Sequence, residues 1–408
     1  MKKKLKMIMF LLMLVILLQG CSFNKKHIHE DNSSDIKEKE NKKDYSNRDI
    51  IKDRIDGMTL DEKIGQLFII GIYGTTLDDK TKEIIDKYNI GGIILFSRNI
   101  ESSSQLKELI NEIKEYNRDN IPLFISIDEE GGRVSRLPNN IENFPSNKVI
   151  GEKDDEKLAY KIGEIQAEKL KYFGINMNYA PVLDIYSNKN NTVIGDRSYG
   201  DDANVVTKLG IATMEGMKDN RIISVIKHFP GHGDTEIDSH IGLPKVNKSL
   251  KEIGKFELIP FRKAIINDVD AIMVAHILMN KIDNKYPASM SEKIINDLLR
   301  KQLNFKGLVI TDDMTMGAIK RNYSIDNAAI KAIKSGSDIV LVCHEYSNEI
   351  KAIEGIKTAI QKGEISEERI EKSLYRIIKI KQKYNLNDKY EDKISIDNIN
   401  EKVINIIN

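Results

Sequence analysis

The segment Lys227-His228-Phe229-Pro230-Gly231-His232-Gly233-Asp234, continued to Asp238-Ser239-His240, gathers three histidines and several carboxylates within 14 residues. Imidazole titrates near neutral pH and can give and then take a proton in one reaction cycle. Asp238 and His240 are two residues apart, close enough for the carboxylate to hold and polarise the ring. The glycines and Pro230 exclude a continuing helix and predict a shaped loop. That loop follows directly on the apolar run Ile222-Ile223-Ser224-Val225-Ile226. A strand that delivers polar residues at its C-terminal end is how a (β/α)8 barrel builds an active site. The chain therefore reads as an enzyme whose proton-transfer group sits on this loop.

Short apolar runs that could position such a loop lie at 67–72, 91–96, 122–127, 177–185, 222–227, 271–275, 307–311 and 338–343. Segments of helical period separate them, such as Leu106, Leu109, Ile110 and Ile113 on one face, and Leu158, Ile162, Ile165, Leu170 and Phe173 on another. Thr59 to Glu62 and Ser102 to Gln105 have capping-box spacing. Eight strand–helix units predict an α/β fold, a single (β/α)8 TIM-type barrel over residues 50–386, with a last helix from about 366 to 384. An open doubly wound sheet is the alternative; no G-x-G-x-x-G follows a strand, which weakens its dinucleotide-binding version. The tail, 387–408, is left to dock as a short helix or to stay loose.

The predicted strand ends present Asp128-Glu129-Glu130-Gly131-Gly132-Arg133, then Asp184, Lys227-His228, His276, Asp312-Asp313 and His344. Adjacent strand residues alternate sides, so Asp313 reads as structural beside Asp312. Glu129 and Glu130 are expected to shape their loop or to orient Arg133, and His232 and Asp234 to orient the histidine loop. His276 and His344 are expected to line the floor. A metal hydrolase is weighed on His228, His232, Asp234, Asp238 and His240. No H-E-x-x-H occurs, however, and no metal or other cofactor is expected.

The N-terminus points to export. Four lysines in residues 2–6 precede 12 apolar residues, Met7 to Leu18, and then Leu18-Gln19-Gly20-Cys21. The run suits the core of a signal peptide better than a bilayer span. Residues 1–20 read as a lipoprotein signal, with an uncleaved anchor as the alternative, and Cys21 as the lipidated residue holding the protein on the outer face of the membrane. Residues 21–49 read as a charged tether, since 14 of the 28 residues at 22–49 are ionic. Cys343 lies in an apolar run and reads as a buried small residue. With 63 basic and 62 acidic residues and no basic stripe, no nucleic-acid partner is expected. A monomer is expected.

Five stretches together resemble glycoside hydrolase family 3, in its bacterial β-N-acetylglucosaminidase branch: Met58 to Gln66, Asp128 to Val134, Gly195 to Tyr199, Lys227 to His240, and Ile310 to Met314. The resemblance implies that Asp312 is a nucleophile forming a covalent glycosyl-enzyme, His240 the general acid/base and Asp238 its partner. It implies sugar contacts from Asp128, Arg136, Arg197, Lys227 and His228. It further implies removal of terminal, non-reducing N-acetylglucosamine from peptidoglycan fragments; many relatives carry a second α/β domain after the barrel, whereas here the barrel is expected to hold the whole catalytic set. Two alternatives stay open: release of the glycosyl group to phosphate instead of water, and a solute-binding lipoprotein that feeds a transporter.

Overall fold

The computed structural model describes residues 49–235, 242–388 and 395–407. The signal segment, Cys21, most of the tether, Asp238 and His240 lie outside the described residues. Eight strands close a parallel barrel: β1 Phe68–Gly71, β2 Gly92–Leu95, β3 Phe124–Ile127, β4 Met177–Asn178, β5 Ile223–Phe229, β6 Ala271–Val274, β7 Leu308–Asp313 and β8 Ile339–Val342. They pair in the order β1-β8-β7-β6-β5-β4-β3-β2, so the first and last strands meet. Each apolar run of the sequence supplies one strand. Strands covered on both faces need apolar side chains throughout rather than alternation.

One expectation is corrected in length. The run at 177–185 forms a strand only over Met177–Asn178. Pro181 has no N–H to continue a ladder. Contact with β5 resumes past it through an isolated bridge between Val182 and Lys227. β5 itself runs on to Phe229, so Lys227 and His228 belong to the strand and not to the loop after it.

A helix follows each strand: α1 Asp79–Tyr88, α2 Ser103–Asn117, α3 Glu156–Phe173, α4 Ala203–Asp219, α5 Leu258–Ile266, α6 Lys293–Gln302 (wound as a π-helix), α7 Ile325–Ser335 and α8 Tyr346–Gln361. Their starts follow local chemistry. Thr59 and Glu62 form the full reciprocal cap of the short helix Leu60–Gly65. At α2 the reciprocity is shifted by one residue. Ser102 accepts from the Gln105 amide at 3.2 Å, but the Gln105 side chain accepts from Glu101 N at 2.8 Å. Asp155 caps α3, and Gly174 ends it in the left-handed conformation.

Helix α9, Glu367–Lys383, closes the barrel sequence under a Ser366 cap, as the periodicity predicts. The tail docks as a helix, α10 Ile396–Ile407, against α3 with Ile399 and Val403 buried. Lys402 pairs with Glu168 at 2.6 Å, and Asn400 bonds the Asn140 carbonyl and the Glu142 amide. Cys343, just past β8, is buried and has no disulfide partner among the described residues. Burial and nearby Asp313 push its thiol well up.

Candidate active site

A cavity of about 620 Å³ opens at the C-terminal mouth of the barrel. Asp128, Arg136, Arg197, Lys227, His228 and Asp312 all border it. Six of the expected site residues, spread from β3 to β7, are thus brought together. The two others, Asp238 and His240, lie outside the described residues.

Two irregularities in the barrel put neighbouring side chains on the same side. Between Ile226 and Phe229 strand β5 advances three residues while β6 advances from Ile272 to Val274. Between Ile310 and Asp313 strand β7 likewise advances three while β8 advances from Ile339 to Leu341. One extra residue in a strand breaks the strict alternation and re-aims a side chain. Both Lys227 and His228 therefore border the cavity, and so do both Asp312 and Asp313. The expectation that alternation sends Asp313 away from Asp312 is corrected on this point. Asp313 is nevertheless committed to its own backbone surroundings. Its carboxylate accepts from Thr315 N at 2.9 Å, Thr315 Oγ1 at 2.6 Å and Cys343 N at 3.1 Å. The Asp313 amide in turn donates to Asp312 Oδ1 at 2.8 Å. His276, fully buried, donates from Nε2 to the Asp313 carbonyl at 2.9 Å and meets Ser289 Oγ at 2.7 Å through Nδ1. His344 is exposed at the rim, between Asp313 Oδ2 and Arg98 Nη1 at 3.1 Å each.

The polar floor is an ion-pair network. Lys227 Nζ bonds Asp128 Oδ1 at 2.5 Å and Glu130 Oε1 at 2.7 Å. Arg197 grips Glu130 with two parallel bonds, Nε to Oε2 at 2.9 Å and Nη2 to Oε1 at 2.7 Å. Burial pushes the Glu130 carboxyl up, but the charges and hydrogen bonds of Arg197 and Lys227 outweigh it and hold the group well below the usual range. Glu130 is thus a fixed anion, unsuited to donating a proton. It orients Arg197 and Lys227, not Arg133. Arg133 is held by Asp196 at 2.7 Å and by the Val193 carbonyl at 2.7 Å. Glu129 does shape its loop. Its carboxylate accepts from Ser135 Oγ at 2.8 Å and from the Arg136 amide at 2.7 Å, fixing the turn that carries Arg136. The Arg136 Nε is buried without a hydrogen-bond partner among the described residues.

Asp184 stands at the end of the fourth apolar run. It is fully buried behind His228. The His228 Nδ1 donates to Asp184 Oδ2 at 2.6 Å, and the His232 amide donates to Oδ1 at 2.6 Å. Burial opposes ionisation, but His228, His232 and these bonds leave the Asp184 carboxyl below its ordinary value. An ionised partner at Nδ1 fixes the tautomer, so His228 turns Nε2 toward Arg197 Nη2, 3.5 Å away. Asp184 was detectable only as one more polar residue after an apolar run.

Backbone geometry makes room for this set. Gly132 has φ +54°, and a Cβ there would meet Ser146 at 2.8 Å. A Cβ at Gly233 would sit 1.7 Å from the Ile185 carbonyl oxygen, which pins the start of the histidine loop against the β4 side. Among the described residues no group of three or more His, Cys, Asp and Glu side chains is arranged to hold a metal ion. Two of the ligands weighed, Asp238 and His240, are not among them.

The family profile described as Glycosyl hydrolase family 3 N terminal domain matches residues 59–380. The chain is 36% identical over 334 residues to Beta-hexosaminidase A of Pseudoalteromonas piscicida, covering 76% of this chain and 56% of that protein. It is 36% identical over 283 residues to Beta-hexosaminidase of Nitrosomonas eutropha, covering 68% of this chain and 80% of that protein. Among solved structures, a glycoside hydrolase family 3 beta-N-acetylglucosaminidase from Paenibacillus sp. str. FPU-7 superposes with a TM-score of 0.83 at 39% identity, covering 86% of this chain and 68% of that one. The chain thus spans little more than half of the Pseudoalteromonas relative.

Proposed function

Because the chain belongs to glycoside hydrolase family 3, we propose that it is a retaining exo-β-N-acetylglucosaminidase acting on peptidoglycan fragments. The observation that carries this reading is that Asp312 borders the same cavity as Asp128, Arg136, Arg197, Lys227 and His228. A retaining glycosidase needs a carboxylate nucleophile and a second group that first gives and then takes a proton. Asp312 attacks the anomeric carbon. His240 protonates the departing glycosidic oxygen and afterwards accepts a proton from the incoming water, while Asp238 holds the imidazole in the needed tautomer. Asp128 accepts hydrogen bonds from sugar hydroxyls, and Arg136, Arg197 and Lys227 donate them. The fixed anion Glu130 keeps two of those cations in place, which limits the reorganisation needed when substrate binds.

The substrate assignment draws on location. The lysines at residues 2–6, the apolar run 7–18 and Cys21 support an exported lipoprotein. An enzyme tethered outside the membrane meets cell-wall glycan and its fragments. The covalent step is tested with Asp312→Asn and a 5-fluoro N-acetylglucosaminyl donor. Turnover should fall by several powers of ten, on the order of 4 kcal/mol or more. Mass spectrometry should find the wild-type label on Asp312. Label elsewhere, or unchanged turnover in the variant, removes the assignment.

A further inference from the structure

His232 belongs to the same motif as the residues above, yet nothing in the proposed reaction uses it. The residue is buried, at 2% exposure. Nδ1 meets Thr235 Oγ1 at 2.7 Å, and Asn191 Nδ2 in turn reaches Thr235 Oγ1 at 3.3 Å and the His232 carbonyl at 2.8 Å. The backbone amide is tied to Asp184. The ring stands edge-on to His228, with centroids 5.7 Å apart and planes at 70°. These contacts fix both the place and the rotation of the imidazole. Nε2 differs from every other polar atom of the residue. It is buried and has no hydrogen-bond partner among the described residues, while the side chain borders the cavity that holds Asp128, Lys227 and Asp312. Whichever tautomer Thr235 selects, Nε2 carries either a proton or a lone pair. Buried polar atoms are nearly always matched, and leaving one unmatched is costly. Fixed in place at the cavity wall, this atom marks the place of a partner that arrives with the ligand.

We propose that His232 is a specificity-determining residue whose Nε2 hydrogen-bonds one polar group of the bound terminal sugar, a hydroxyl or the acetamido group. The proposal rests on the glycosidase reading above. Burial first, and the neighbouring His228 second, push the ring down to about 4. It is neutral at working pH, so the contact is a neutral hydrogen bond rather than an ion pair.

The test compares kcat/KM for wild type, His232→Phe and His232→Gln. The first variant keeps a flat ring against His228; the second keeps an amide able to donate or accept. The substrates are an aryl N-acetylglucosaminide, its 3-, 4- and 6-deoxy analogues, and the corresponding glucoside. On the parent substrate His232→Phe should lose about ten- to a hundredfold, the size of one buried hydrogen bond. For one analogue, the one lacking the partner group, wild type and variant should become equal, while the gap persists for the others. His232→Gln should recover part of the loss. An equal proportional loss on every substrate, or no loss on the parent, overturns the proposal and leaves His232 as a brace for the loop. A wild type inert on the parent substrate overturns the glycosidase reading itself, which keeps the two failures apart. If His232→Phe does not fold, as judged by its melting curve, His232→Gln carries the same comparison, with a smaller gap expected to vanish on the same analogue.

Discussion

Replacing Glu130 by Gln tests the floor of the cavity most directly. The carboxylate is buried, with its side chain 1% exposed, and three bonds from two cations converge on it. Glutamine keeps the shape but removes the charge, and it turns an amide NH2 toward a cation. Removing one partner from a buried ion pair costs about 3–5 kcal/mol. Lys227 retains Asp128 at 2.5 Å, so the lower end, about 3 kcal/mol, is expected. At about 2.1 cal/mol/K of unfolding entropy per residue over roughly 340 residues, this lowers the melting temperature by about 4 °C.

The folded pKa of Glu130 is depressed, so its stabilisation is fully present above the ordinary value of 4.5 and is lost as pH falls through the folded value. The gap between wild type and variant should therefore be constant from about pH 5 to 8 and shrink in strong acid. Thermal unfolding monitored by circular dichroism across that range reads both effects. Turnover should fall alike for an activated aryl glycoside and a natural disaccharide, because Glu130 orients binding groups and donates no proton. A melting point within 1 °C of wild type at about pH 7 refutes the clamp. A loss confined to the disaccharide would instead make Glu130 the acid.

If His240 is the proton donor, His240→Ala should spare the first step on an activated aryl glycoside and nearly abolish cleavage of a disaccharide. Asp238→Ala should show the same trend more weakly, and the double variant should lose less than the sum of the two; equal, additive losses would move the role elsewhere. Asp184→Asn should lower kcat/KM about ten- to a hundredfold by loosening His228, the size of a hydrogen bond to a charged group. It should cost little more once His228 is already alanine, so full additivity in that kinetic cycle would separate the two residues. Cys21→Ser should shift the protein out of the detergent phase in a partitioning assay; wild type found in the medium with a start well past Cys21 would end the lipoprotein reading.

The sequence by itself determined the barrel. Strands enclosed on both faces must be apolar throughout, so eight such runs were legible as eight strands, and local caps such as Thr59 and Ser102 marked helix starts. It also brought out the polar residues at strand ends, because composition changes abruptly there. What it could not carry was direction and partnership. The extra residues in β5 and β7 that turn Lys227 with His228, and Asp312 with Asp313, toward one cavity depend on the register of neighbouring strands. Pro181, by contrast, was a visible stop signal within the fourth run, and only its effect on strand length needed the structure. Glu130 lies 67 residues from Arg197, Asp128 lies 99 from Lys227, and Asp184 lies 44 from His228. Periodicity over a turn of helix or a stretch of strand holds no information about such pairs. Barrel closure selects them, and burial then makes each one costly to break. Asp184 and Glu130 could therefore be seen in the chain, but their tasks were decided only by what the closed barrel packed against them.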